Sequence, residues 1–118
     1  MPLRIEAFDI STIMGTSAVG SMVVFNDGEP AKNEYKRFRI KTLTGMDDYG
    51  MMREIILRRY SRTGVPPVNM PDLIVVDGGK GQLNTLINAL KELSITNIDT
   101  IGIAKGEDRN NPETDIIY

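Results

Sequence analysis

The chain has 118 residues, 41% of them hydrophobic and 25% charged, with a net charge of −2. That is the balance of one globular domain, which can bury roughly two-thirds of its unfolded surface. It contains no cysteine and no histidine, which excludes disulfides, thiolate metal sites and any imidazole base or ligand within it.

In chain order, the N-terminus "MPLRIEAF" carries charges where a signal peptide needs an apolar core, so the expectation is a cytoplasmic domain. "RIEAFDIS" (residues 4–11) alternates and predicts a strand ending near Asp9, with Ile5, Ala7 and Asp9 on one face. "TSAVGSMVVF" (16–25) predicts a second strand, and "NDGE" (26–29) supplies hairpin turn chemistry. "YKRFRIK" (35–41) predicts a third, with Phe38 and Ile40 on one face and Tyr35, Arg37, Arg39 and Lys41 on the other. From Asp47 to Arg62, Tyr49, Met52, Ile55, Ile56 and Tyr60 recur at helical spacing. Asp47 and Asp48 at its start and Arg58, Arg59 and Arg62 at its end match the helix dipole. Residues 32–62 hold nine of the fourteen basic residues against four acids, a local charge of +5, and the rest of the chain sums to −7. Such a segment is either the footprint of a polyanion or a solvated helix face beside an edge strand guarded by charge.

"GVPPVNMP" (64–71) breaks the chain. "LIVV" (73–76), the longest purely aliphatic run, is far too short to cross a membrane. Its lack of alternation predicts a strand buried on both faces, as in a parallel sheet. Leu83, Leu86, Ile87, Leu90 and Leu93 form one stripe, which predicts a helix from Lys80 to Ser94, and "DTIGIAK" (99–105) predicts a fifth strand. The order implies a mixed α/β sheet of about five strands, a three-strand antiparallel meander followed by parallel strands, with helices on its faces. The first and fourth strands are the natural parallel neighbours at its centre. Asp9 and Asp77 then meet at the carboxyl edge, where open α/β sheets bind ligands.

Two adjacent carboxylates repel, so one gains a proton or both share a cation. Magnesium suits them, completing its shell with water and phosphate oxygens, and the chemistry it supports is metal-assisted attack of water on a phosphodiester. "DGGKGQ" (77–82) fits neither the phosphate loop nor the dinucleotide fingerprint. Asp77 either caps the following helix or holds something positive, and Lys80 and Gln82 lie beside helix-start N–H groups that favour an anion.

"RIEAFDIS", "GSMVVFNDGEPAKNEYKRFRIK", "DDYGMMREIILRRY", "PDLIVVDGGKGQL" and "IGIAK" run in order along nearly the whole chain. Together they resemble the C-terminal endonuclease domain of the UvrC excinuclease family. The resemblance implies a ribonuclease-H-like fold, Mg2+ or Mn2+ as cofactor, and incision on the 5′ side of a DNA lesion in nucleotide excision repair. Damaged double-stranded DNA and the UvrB complex of the excinuclease are the partners implied. Asp9 and Asp77 match the family's metal-holding catalytic acids. Asp48, of the "DDY" stretch, matches a third implicated acid, although a helix start equally suits a cap or dipole partner. The candidate DNA contacts are Lys80, Gln82, Arg37, Arg39, Lys41, Arg58 and Arg59. The family also carries a "DEAHRFA"-type helix with a catalytic histidine. Residues 1–118 therefore read as a single domain, the N-terminal part of the family's endonuclease domain, expected to be weak alone and to self-associate. Asp108, Glu113 and Asp115 read as a solvated tail. Two rivals remain open: a DNA-docking module without activity, and an endonuclease V relative, against which "DGGKGQ" counts.

Overall fold

Alternation and turn chemistry at the N-terminus produce one long hairpin. In the computed structural model, which describes residues 3–13, 17–41, 47–61, 70–104 and 116–117, strands β1 (Arg4–Ile13) and β2 (Ser17–Asn26) pair antiparallel along their full lengths. β1 runs past Asp9 because Ile10 to Ile13 find partners on β2. The predicted turn forms at Asp27 and Gly28, both at positive φ (52° and 83°), which matches the twist of the flanking strands. It leads to β3 (Glu29–Pro30), a 3-10 turn (Lys32–Glu34) and β4 (Lys36–Lys41). Then come α1 (Asp48–Tyr60), β5 (Leu73–Asp77), α2 (Lys80–Glu92), β6 (Asp99–Ala104) and β7 (Ile116–Ile117).

The sheet order is β3–β2–β1–β5–β6–β7, with β4 also paired to β2. β1, β5 and β6 are parallel and the remaining pairs antiparallel. This is the expected mixed α/β sheet, extended by two strands of two residues each. The break at 64–69 and the acidic residues Asp108, Glu113 and Asp115 lie outside the described residues.

Register decides which side chains share a face. Phe8 lies opposite Met22 and Val76, and all three are buried together with Val24, Ile40 and Ile74. Over them pack Met52, Ile55, Ile56 and Tyr60 of α1 and Leu86, Ala89 and Leu90 of α2. Both described helices therefore lie on one face, where the sequence predicted helices on the sheet's faces generally. On the other face Ile5, Ala7, Val23, Val75 and Ile103 are only half-buried. "LIVV" is thus not buried on both faces by any described element: Ile74 and Val76 are buried, Leu73 and Val75 partly open. No described helix is long and apolar enough to cross a membrane.

Alternation also hides a charge. Glu6 shares the core face with Phe8 and is fully buried. It accepts from Arg4 Nε at 2.9 Å, from Arg59 Nη2 at 2.9 Å and from the Tyr60 hydroxyl. Arg4 continues to Glu34 at 2.8 Å.

Candidate active site

The last registered pair between β1 and β5 is Phe8 with Val76. Asp9 and Asp77 follow on neighbouring parallel strands, both on the face that no described helix covers. They share a cavity of about 310 Å³ with Ala7, Ser21, Val23, Val75 and Ile103. Their carboxyls lie within interaction reach of each other, and the Asp9 pKa is raised above the ordinary aspartate value. Desolvation against the apolar wall is the largest cause, followed by the negative charge of Asp77 and side-chain hydrogen bonding to it.

The sign of that shift sets a pH dependence. A raised folded-state pKa means the native chain binds more protons than the unfolded chain in the window just above the ordinary value, so this contribution falls as pH rises through it. Asp9→Asn removes the repulsion. Without metal, the melting temperature of Asp9→Asn is expected to exceed wild type by on the order of a few degrees at pH 7. The gap should shrink towards pH 4 and close when Mg2+ saturates the wild type. A gap independent of pH would show that the two carboxylates do not repel.

The glycines after Asp77 shape the turn. Gly78 adopts φ 146°, where a side chain is strained and would press on Gln82. Its N–H donates to the Ile103 carbonyl at 2.7 Å. Gly79 is the N-cap of α2, with no side-chain cap, so Asp77 is not the capping residue. At α1 the cap is Asp47, which accepts from Gly50 N at 2.9 Å. Asp48 is then the first helical residue, exposed and uninvolved in capping. Asp48, Tyr49, Asp77, Gly78, Gly79 and Gln82 line a second cleft of about 610 Å³. Asp77 lines both cavities. Asp48 joins Asp77 but not Asp9, and among the described residues no three acids are grouped to hold one ion.

The basic candidates divide. Lys80 is exposed at the first position of α2, whereas Gln82 is 8% exposed with no hydrogen-bond donor for its Oε1. Arg37 and Arg39 are exposed on β4. Lys41 closes the β4 ladder opposite Ser17, and its side chain lies outside the described residues. Arg58 lies over the Phe38 ring at 5.6 Å and donates to the Arg39 carbonyl at 2.9 Å. Arg59 departs from the expected role: Glu6 engages it and its side chain is only 10% exposed, so it serves the core and not a ligand surface. Sequence reasoning missed Glu6; the available signal was its place two residues before Phe8 in an alternating strand, beside Arg4.

An antiparallel meander continued by parallel strands, with two aspartates meeting at the carboxyl ends of the central pair, defines a ribonuclease-H-like α/β domain. The catalytic domain of human endonuclease V is similar to it in fold, with a TM-score of 0.60 at 18% identity over 94% of this chain and 50% of that one. So is Ciona intestinalis endonuclease V, solved with a 24mer DNA containing an inosine followed by a ribo-adenosine, at 0.58, 19%, 95% and 49%.

Sequence narrows the class: residues 1–118 match the UvrC RNase H endonuclease domain, and the chain belongs to that family. It is 57% identical over 104 residues to UvrABC system protein C of Syntrophus aciditrophicus, covering 88% of this chain and 16% of that protein. With the same protein of Streptococcus uberis it shares 51% over 106 residues, 90% of this chain and 18% of the relative. The chain thus spans under a fifth of the length of these relatives. The UvrC resemblance is upheld, and the likeness to endonuclease V is one of fold.

Proposed function

We propose that this chain is the divalent-metal-dependent endodeoxyribonuclease domain of a cytoplasmic nucleotide-excision-repair excinuclease, cutting 5′ to a lesion in damaged duplex DNA bound with the UvrB complex. The observation that carries this reading is the juxtaposition of Asp9 and Asp77 on adjacent parallel strands. Two hard oxygen donors in mutual repulsion fit a small divalent cation. Mg2+ or Mn2+ held there would polarise the scissile phosphate and lower the pKa of a water. Asp9 and Asp77, both exposed, orient that centre beside the half-buried Ala7, Val23, Val75 and Ile103. Asp48 holds groups on the far side of Asp77. Lys80, at the positive end of α2, favours a phosphate there.

The test is nicking of lesion-bearing duplex with magnesium, with manganese and with chelator. The 118 residues are compared with a longer family polypeptide that includes the histidine-bearing helix. The longer polypeptide should cut 5′ to the lesion only with metal. The 118 residues should cut about 10²-fold more slowly or worse, because general acid–base help typically contributes about 10²–10⁴-fold and this chain has no histidine. They should also sediment partly as a dimer through the half-buried apolar face. Equal cutting by both would remove the need for the histidine. Binding without incision by either would assign the chain to DNA docking.

A further inference from the structure

We propose that Arg37, assisted by Arg39, grips a substrate phosphate about two to three nucleotides from the one at Asp9 and Asp77, so that the cut strand crosses the sheet from β5 towards β4. The proposal rests on the nuclease reading and adds a path for the substrate.

Register carries it. Arg37 on β4 lies opposite Ser21 on β2, and Ser21 lies opposite Asp9 on β1. Asp77 follows the Phe8–Val76 pair on β5. Residues opposed across strands project from the same face, so Arg37, Ser21, Asp9 and Asp77 form one row on the face that no described helix covers. At about 4.8 Å per strand, the Cα atoms of Arg37 and Asp9 lie roughly 10 Å apart. Each strand of duplex DNA rises about 3.4 Å per nucleotide along the axis and further along its own helical path, so that gap, with the reach of the arginine side chain added, corresponds to about two to three nucleotides. The small Ser21 side chain leaves the row open between them. Arg39 sits opposite Val19 on the same face, about 7 Å further along β4.

Pairing supplies a second observation. Arg4, Arg53, Arg58 and Arg59 each meet a carboxylate. Arg37 and Arg39 are exposed, and no described carboxylate pairs with either. Guarding an edge strand needs charge but no particular face, and Lys36 already offers charge from the opposite face, beside Met22. Two unpaired guanidiniums on the face of the acid pair match phosphate, which arginine's planar fork binds bidentately.

The experiment walks a single neutral methylphosphonate linkage along the strand that is cut. Binding of each duplex by the full chain is read by fluorescence anisotropy for wild type, Arg37→Ala and Arg37→Lys, with melting curves confirming that all three fold. In wild type, one linkage about two to three nucleotides from the cut should weaken binding roughly tenfold. At that linkage Arg37→Ala should show no further loss, and its log–log salt slope should fall by about 0.9. Arg37→Lys should keep the slope and lose part of the affinity. Identical linkage profiles in wild type and Arg37→Ala, a dip elsewhere, or an unchanged slope would overturn the proposal and leave Arg37 as an edge guard. Nicking is scored separately. With cutting read on the longer family polypeptide, normal cutting with an unchanged profile rejects only the path, and the expected profile without cutting by that polypeptide rejects only the nuclease reading.

Discussion

Asp77→Asn is expected to slow metal-dependent nicking by about 10³-fold, and Asp9→Asn by the same order. The amide keeps the size of the carboxylate and removes its charge, so the fold should survive while the affinity for a hard cation drops. A metal centre supplies several kcal/mol of transition-state charge stabilisation; about 4 kcal/mol at 1.36 kcal/mol per decade gives that magnitude. Asp77 should be the more sensitive position because it lines both cavities. Asp48→Asn should cost less, on the order of 10–100-fold, the loss typical of a group that orients a metal's surroundings. Single-turnover rates across a metal titration separate the cases, since Asp77→Asn should also raise the metal midpoint. If Asp48→Asn proved as damaging as Asp77→Asn while Asp9→Asn was mild, the ion would belong in the cleft at the start of α1, and the Asp9–Asp77 pair would be abandoned.

The candidate site was legible because it depends on topology. Two apolar strand patterns that each reach an aspartate, with an antiparallel meander and a helix between them, favour parallel neighbours at the centre of the sheet, and these place Asp9 beside Asp77. Placing Phe38 and Ile40 apart from Arg37 and Arg39 needed only a period of two, and Phe38 and Ile40 indeed pack on the core side. What failed lies where local pattern carries no tertiary information. The stripe on α2 marks its buried side but not which sheet face it covers, and both helices chose one. β3 and β7 have two residues each, too few for a period to register. Asp47 and Asp48 are indistinguishable in sequence, and only the bond from Gly50 N identifies Asp47 as the cap. Arg59 read as a surface cation because charge at a helix end suits the dipole, yet its carboxylate partner stands 53 residues away on β1.

That partner carries the other large effect: Glu6→Ala is expected to destabilise the chain by about 3–5 kcal/mol, the usual cost of breaking a buried ion pair from one side. Glu6 has no exposure, while the Arg4 and Arg59 side chains are 11% and 10% exposed. Removing the carboxylate leaves two guanidiniums facing each other in a nearly closed space and a Tyr60 hydroxyl without its acceptor. Burial, and then the Glu6 charge, raise the Tyr60 pKa, so the phenol stays a proton donor. Against a typical total of about 5–15 kcal/mol, the loss approaches global unfolding. Tyr60→Phe removes one hydrogen bond and leaves both ion pairs, so it should cost only about 1–1.5 kcal/mol. Urea denaturation checks both, and a Glu6→Ala loss no larger than that of Tyr60→Phe would refute the buried-pair account. Glu6 acts on the active site only through position. It ties the C-terminal end of α1 to β1, and the start of α1 carries Asp48. Well below its melting midpoint, Glu6→Ala should therefore retain far more nicking than Asp77→Asn, which separates loss of fold from loss of chemistry.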